Sequence, residues 1–166
     1  MVITGETKYR DFVSVLPFLC DGEREKLYAA AEKRYGYCNA LTLDQFFGVC
    51  EGNIELLGDM SNPTVLQVMW LERFEKFTQA FTQECERMTV QPSAKMQRAM
   101  QGTRPLPGRA ALLVFCRQYF GLPSFAACGS LTVGEYLTAR QDHYNEQIIQ
   151  RNFAKMQEQE LKKHKH

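Results

Sequence analysis

Histidine is scarce in this chain, with three among 166 residues. Two of them, His164 and His166, fall in the terminal KKHKH and read as a solvated basic end. That leaves His143, beside Asp142, as the one candidate general base. Neighbouring residues on a helix point about 100° apart, so the pair reads as an exposed helix face rather than a hydrogen-bonded dyad. The G-x-S-x-G, H-E-x-x-H, G-x-G-x-x-G and Walker patterns are missing, as is the inward Glu-x-x-His of a di-iron bundle. A cysteine nucleophile needs a base within reach, and the sequence offers little choice of one. These absences point away from catalysis: no catalytic residue, cofactor or metal site is expected, and an enzyme with an unrecognised site is the remote alternative.

Close cysteine pairs are also lacking. Cys20, Cys38, Cys50, Cys85, Cys116 and Cys128 are separated by 18, 12, 35, 31 and 12 positions, with no C-x-x-C. A structural zinc site usually takes two ligands from one short turn. The cysteines read instead as free, small buried hydrophobes in a reducing compartment, with Cys50, Cys85 and Cys116 at apolar positions of helical patterns. Long apolar runs are missing too: Ala110–Cys116 is about a third of a membrane span. The opening MVITGETKYRD lacks the basic-then-apolar pattern of a signal peptide. A soluble, cytoplasmic protein is expected.

No segment alternates apolar and polar residues over a strand's length, and helical spacing dominates. Phe12, Val13, Leu16 and Leu19 suggest a short element bent at Pro17. Asp21 can cap a helix that stops at Gly36, with Leu27, Ala30, Ala31 and Tyr35 facing the core. Thr42 and Gln45 form a capping box ahead of Phe46, Phe47, Val49 and Cys50. Asn62-Pro63 opens a central helix over about 63–88 with the stripe Leu71, Phe74, Phe77, Phe81, Cys85 and Met88. Residues 91–108 hold three prolines and two glycines and read as a long connection with one loose turn near 94–100. Residues 109–120 read as a buried helix closed by Gly121, and 122–130 as a compact apolar loop. The expected fold is all-α: a compact bundle of about five to six helices, with 1–148 as one domain carrying a basic loop over 89–108.

The final element opens on a second capping box, Thr132 with Glu135, and runs to about Leu161 without a further glycine or proline after Gly134. Its first half offers Val133, Tyr136, Leu137, Tyr144 and Ile148 to the core. Its second half offers only Phe153, Met156 and Leu161. A helix of about 28 residues is roughly 40 Å long, more than a body this size can cover. Residues 149–166 are therefore expected to project, with Phe153, Met156 and Leu161 as a partner-binding edge.

Acid is absent from residues 87–134, which carry six bases, whereas residues 1–86 carry 14 acids against 8 bases. The net charge of +1 conceals this segregation. The bases can dock on the acidic N-terminal half, meet an acidic protein, or contact phosphates through a surface of Lys95, Arg98, Arg104 and Arg109. No helix-turn-helix, zinc-finger or arginine-rich signature accompanies them.

The segment LTVGEYLTARQDHYNEQIIQRNFAKMQ (131–157) resembles the closing segment of small helical tail-assembly chaperone-type morphogenesis proteins of tailed bacteriophages, and LTLDQFFGVCEGN (41–53) repeats the same kind of helix opening. The resemblance covers about a quarter of the chain. It implies a non-enzymatic protein of the host cytoplasm or the virion, acting as a chaperone or head–tail joining component. Its partner would be a phage structural protein or a second copy of itself. Met69, Met88, Met96, Met100 and Met156 would then suit an adaptable binding surface. The alternative is a nucleic-acid-associated protein using residues 87–109.

Overall fold

The structure, a computed structural model, describes residues 4–13 and 16–163. The terminal His164 and His166 lie outside the described residues. Among these residues there are eight α-helices and no strand, as an all-α chain requires. They are α1 (Tyr9–Phe12), α2 (Asp21–Tyr35), α3 (Leu43–Cys50), α4 (Val65–Arg87), α5 (Ala94–Ala99), α6 (Gly108–Phe120), α7 (Phe125–Gly129) and α8 (Val133–Lys163). The count exceeds the expected five to six because α1, α5 and α7 span only 4, 6 and 5 residues, too short for periodicity to register. The expected apolar loop 122–130 holds α7, capped by Ser124, whose hydroxyl accepts from the Ala127 N–H.

The central helix is α4, but its start differs from the Asn62-Pro63 reading. Thr64 is the N-cap: its hydroxyl accepts from the Gln67 N–H at 3.3 Å, and Gln67 Oε1 accepts from the Thr64 N–H at 2.6 Å. Gln67 is itself buried because its amide also donates to the carbonyls of Leu57 and Asp59. The position that wins is the one that satisfies two orphan N–H groups at once. Similarly α2 starts one residue earlier than an Asp21 cap requires, with Cys20 at the N-cap and Glu23 accepting its N–H.

α2 lies along α4, its main packing partner. Its buried face is Tyr28 and Ala31, while Ala30 is exposed. The face is turned because the Tyr28 hydroxyl donates to Glu72 of α4 at 2.7 Å, with Lys76 and Arg73 over its ring. Beyond α2, Gly36 adopts φ of +98°, which favours glycine, and its carbonyl accepts from the fully buried Trp70 indole at 2.9 Å. Across the core, Phe46 of α3 meets Phe74 and Phe81 of α4 at 5.5 and 4.9 Å between ring centroids, and Phe81 meets Tyr136 of α8 at 5.9 Å. These off-parallel contacts suit the ring quadrupoles and tie α3, α4 and α8 into one core. α6 is not the buried helix its sequence suggested. Only Cys116 is fully covered, and Tyr119 and Phe120 are exposed, because no element among the described residues closes over its outer side.

Candidate functional site

Few features of this fold set up an interaction, and most of them lie on α8. Its start is held twice. Thr132 Oγ1 accepts from the Glu135 N–H at 3.1 Å, and Glu135 returns a bond to the Thr132 N–H at 2.7 Å. These bonds, with the Thr132 hydroxyl, hold the Glu135 carboxyl below its ordinary value. In addition the Val133 N–H donates to the Leu41 carbonyl and the Leu43 N–H to the Leu131 carbonyl, at 2.9 and 2.8 Å. Val133, Tyr136 and Ala139 are buried from this base upward, with Leu137, Tyr144 and Ile148 partly covered.

After Ile148 the helix runs on, with Gln150 and Arg151 still bordering a groove lined by Val90, Pro92 and Met96. Every described residue from Ile149 to Lys163 is exposed. Ile149, Phe153, Met156 and Leu161 are open to 66%, 59%, 59% and 65% of their surface. The partner edge read from sequence included the last three and missed Ile149, although Ile149 sits four residues before Phe153 and shares its face. Leu161 follows Met156 by five residues, about 140° around the helix, and so stands off that edge. The remaining local support is polar, such as Lys162 to Glu158 at 2.9 Å. A lone helix of this length is marginal in water.

Of the basic surface, Arg109 is engaged within the chain. It reaches Asp44 and Glu51, both at 3.1 Å, and lies over the Phe47 ring at 5.2 Å. Arg87 pairs with Glu84 and Gln141, and Arg117 lies over Phe125. Lys95, Arg98 and Arg104 make no ion pair among the described residues and sit in a stretch, 93–109, that is exposed throughout. Of the five methionines suggested for a binding surface, Met69 and Met88 belong to the core, whereas Met96, Met100 and Met156 are exposed.

His143 is half-covered rather than on an open face. Its ring meets Phe115 edge-on at 5.4 Å, Gln147 Nε2 lies 2.9 Å from its Nε2, and Glu146 is 3.9 Å away. Asp142 turns from it and accepts from the Tyr119 hydroxyl, a bond that pushes the phenol up to about 12. Both groups face an open groove of about 750 Å³ between α8 and α6, lined also by Asn39, Phe120 and Glu135. Its two carboxylates are both hydrogen-bonded within the chain, Glu135 to the cap and Asp142 to Tyr119. The cysteines are unbridged. Cys38, Cys116 and Cys128 are buried, Cys85 is partly so, and Cys20 and Cys50 are exposed. Cys20 and Cys50 therefore depart from the buried reading: Cys20 is the N-cap of α2, ahead of its packed face, and Cys50 falls on the last turn of α3, beyond the core side set by Phe46 and Val49. No cluster of three or more His, Cys, Asp or Glu that could hold a metal is present among the described residues, and no helix among them is long and apolar enough to cross a membrane.

No family model, no curated protein and no solved structure matches the chain.

Proposed function

We propose that the chain is a non-enzymatic helical interaction and assembly protein, whose working part is the free end of α8. The observation that carries this reading is the contrast within that one helix: residues 133–148 include the side chains buried against the body, while 149–163 are exposed throughout and still present Ile149, Phe153 and Met156 on a common edge. Exposed apolar side chains on an otherwise polar helix are where an amphipathic helix meets a groove or a second helix. The resemblance of 131–157 to phage tail-assembly chaperone-type proteins suggests the setting, virion morphogenesis in a host cytoplasm, with a phage structural protein or a second copy as partner.

The test is a pull-down and light-scattering comparison of the full chain with a Phe153→Glu/Met156→Glu variant. Loss of a bound partner or of self-association, with unchanged circular dichroism, supports the reading. Equal association by both proteins overturns it.

A second reading has its own observation, the three bases Lys95, Arg98 and Arg104 that no acid of the described chain neutralises. It assigns them to nucleic-acid phosphates, whose contacts are sequence-independent and salt-sensitive.

A further inference from the structure

The groove of about 750 Å³ between α8 and α6 is one-sided in charge: Glu135 and Asp142 line it and no base does. Each carboxylate is held through one oxygen. Glu135 Oε2 accepts from both the Thr132 N–H and the Thr132 hydroxyl, at 2.7 and 2.9 Å. Asp142 Oδ2 accepts from the Tyr119 hydroxyl. Glu135 Oε1 and Asp142 Oδ1 carry no hydrogen bond among the described residues. A carboxylate offers about four lone-pair sites, so these bonds fix its direction without exhausting it.

Asp142 follows Glu135 by seven residues, two helical turns, so the pair shares one side of α8 about 10 Å apart along its axis. At the Glu135 end Gly134 lies against Asn39, whose carbonyl oxygen would stand 3.2 Å from a Cβ at that position. At the Asp142 end stand Tyr119 and Phe120, 36% and 38% exposed, in edge contact at 5.5 Å between ring centroids. Thr138 and Ala139 lie between the two ends. The bond to Asp142, desolvation and the charges of Asp142 and Glu146 all raise the Tyr119 phenol, as expected in a negative field.

We propose that this groove binds a linear aliphatic polyamine, with one ammonium at the free oxygen of Glu135, another at that of Asp142, and the methylene run between them over Ala139 and against Phe120. An ammonium group has three donors and no acceptor, which complements a carboxylate oxygen that lacks a partner. Exposed aromatic rings attract the same cation and cover the methylenes beside it. Two carboxylates two turns apart cannot share one metal ion, whose oxygen ligands stand at about 2.0–2.6 Å. A single basic side chain would reach only one of them. An extended peptide would bring N–H and C=O groups into a floor of Gly134, Thr138 and Ala139, where the Thr138 hydroxyl already donates to the Gly134 carbonyl. The site sits at the base of α8 and uses none of Ile149, Phe153 and Met156, so it is separate from the docking edge.

Equilibrium dialysis of labelled spermidine against the full chain, at about 0.15 M salt, tests this. The expected result is saturable binding of one spermidine per chain, with n-butylamine, which has a single ammonium, bound more weakly. Glu135→Gln retains a side chain that can complete the cap, and Asp142→Asn retains an acceptor for Tyr119. Circular dichroism checks that both fold, and each is expected to weaken binding about two- to fivefold. Phe120→Ala changes no charge and is expected to weaken it by a similar factor of about two to five. Glu160→Gln removes an acid outside the groove and is expected to leave binding unchanged. Absence of saturable binding overturns the proposal. So does binding that Glu160→Gln weakens as much as Asp142→Asn does, or that Phe120→Ala leaves intact, since either reduces it to general attraction of cations. A lysine-rich peptide that binds where spermidine does not also overturns it, in favour of a protein occupant.

Discussion

Thr42 and Thr132, 90 positions apart in sequence, sit opposite one another in an isolated antiparallel bridge. Each caps its own helix, and each is flanked by a residue whose N–H bonds a carbonyl preceding the other cap. A helix start leaves four N–H groups without partners. Here the threonine hydroxyl satisfies the third helical residue, Gln45 or Glu135 satisfies the cap itself, and the opposite chain satisfies the first helical residue. The arrangement recurs between Lys8 and Thr64, where Tyr9 donates to Pro63 and Val65 to Thr7. The fold is thus pinned at two pairs of helix beginnings, and α8 can extend far from its base because that base is fixed.

Thr42→Ala and Thr132→Ala should each cost about 1 kcal/mol, the usual cost of a lost cap. Because fraying either start withdraws a carbonyl from the other, the double variant should cost less than the sum by at least about 0.5 kcal/mol. Chemical denaturation of the four proteins measures this coupling. Strict additivity would mean that the bridge carries no stability of its own.

Both capping boxes were legible in the sequence because a cap is a local event within four residues. Their pairing was not, since nothing in L-T-L-D-Q or L-T-V-G-E specifies a distant partner. The core stripe of α4 was legible for the same local reason, and the projection of α8 followed from length alone. What escaped were features decided across the fold. Asn62-Pro63 masked the Thr64 box, whose glutamine is buried by bonds to Leu57 and Asp59. Tyr28 displaced Ala30 from the core through a bond to Glu72. Ala139 is covered although alanine carries little apolar signal. At the candidate site, docking of bases on the acidic N-terminal half was legible from the charge segregation, but not that Arg109 would take Asp44 and Glu51, because those contacts are made 65 and 58 positions away.

The buried thiols make stability fall at high pH. Burial pushes Cys38 and Cys116 from an ordinary 9.0 up to about 11. Between these values the unfolded thiols have lost protons that the folded ones retain, so the unfolded state is favoured as pH rises. Their contribution is complete below pH 9 and lost as pH passes 11. It amounts to about 3 kcal/mol per thiol at most. Cys116→Ala should flatten the decline in denaturation midpoint between these pH values. A variant with the parent's slope would remove Cys116 as a cause. At neutral pH, thiol labelling should modify Cys20 and Cys50 rapidly and Cys38, Cys116 and Cys128 only on unfolding.

Neutralising Lys95, Arg98 and Arg104 together should change stability by less than about 0.5 kcal/mol, since all three are exposed and make no ion pair among the described residues. Under the assembly reading the triple alanine variant also leaves association unchanged. Binding of single- and double-stranded DNA is the discriminating measurement. A log–log salt slope that drops by about 0.7–0.9 for each base removed would establish phosphate contacts and favour the nucleic-acid reading.

Cutting α8 at two places should give opposite results. Ending the chain at residue 130 removes Val133, Tyr136 and Ala139 from the core and the Val133 bond to Leu41. Burial of each large apolar side chain contributes about 1.5–3 kcal/mol. The loss also strips the lid from Phe81 and Phe115, which both contact Tyr136. A domain with about 5–15 kcal/mol in hand does not absorb this, and the shortened protein should unfold or aggregate. Deleting 152–166 removes no buried side chain among the described residues, so stability should fall by less than about 1 kcal/mol. Association should nevertheless vanish, because Phe153 and Met156 leave with the segment. Denaturation curves and light scattering on the two deletions separate the roles. Collapse of the shorter deletion would make residues 152–163 part of the fold. Unchanged stability together with unchanged association would reduce them to an inert extension and leave the assembly reading without its structural basis.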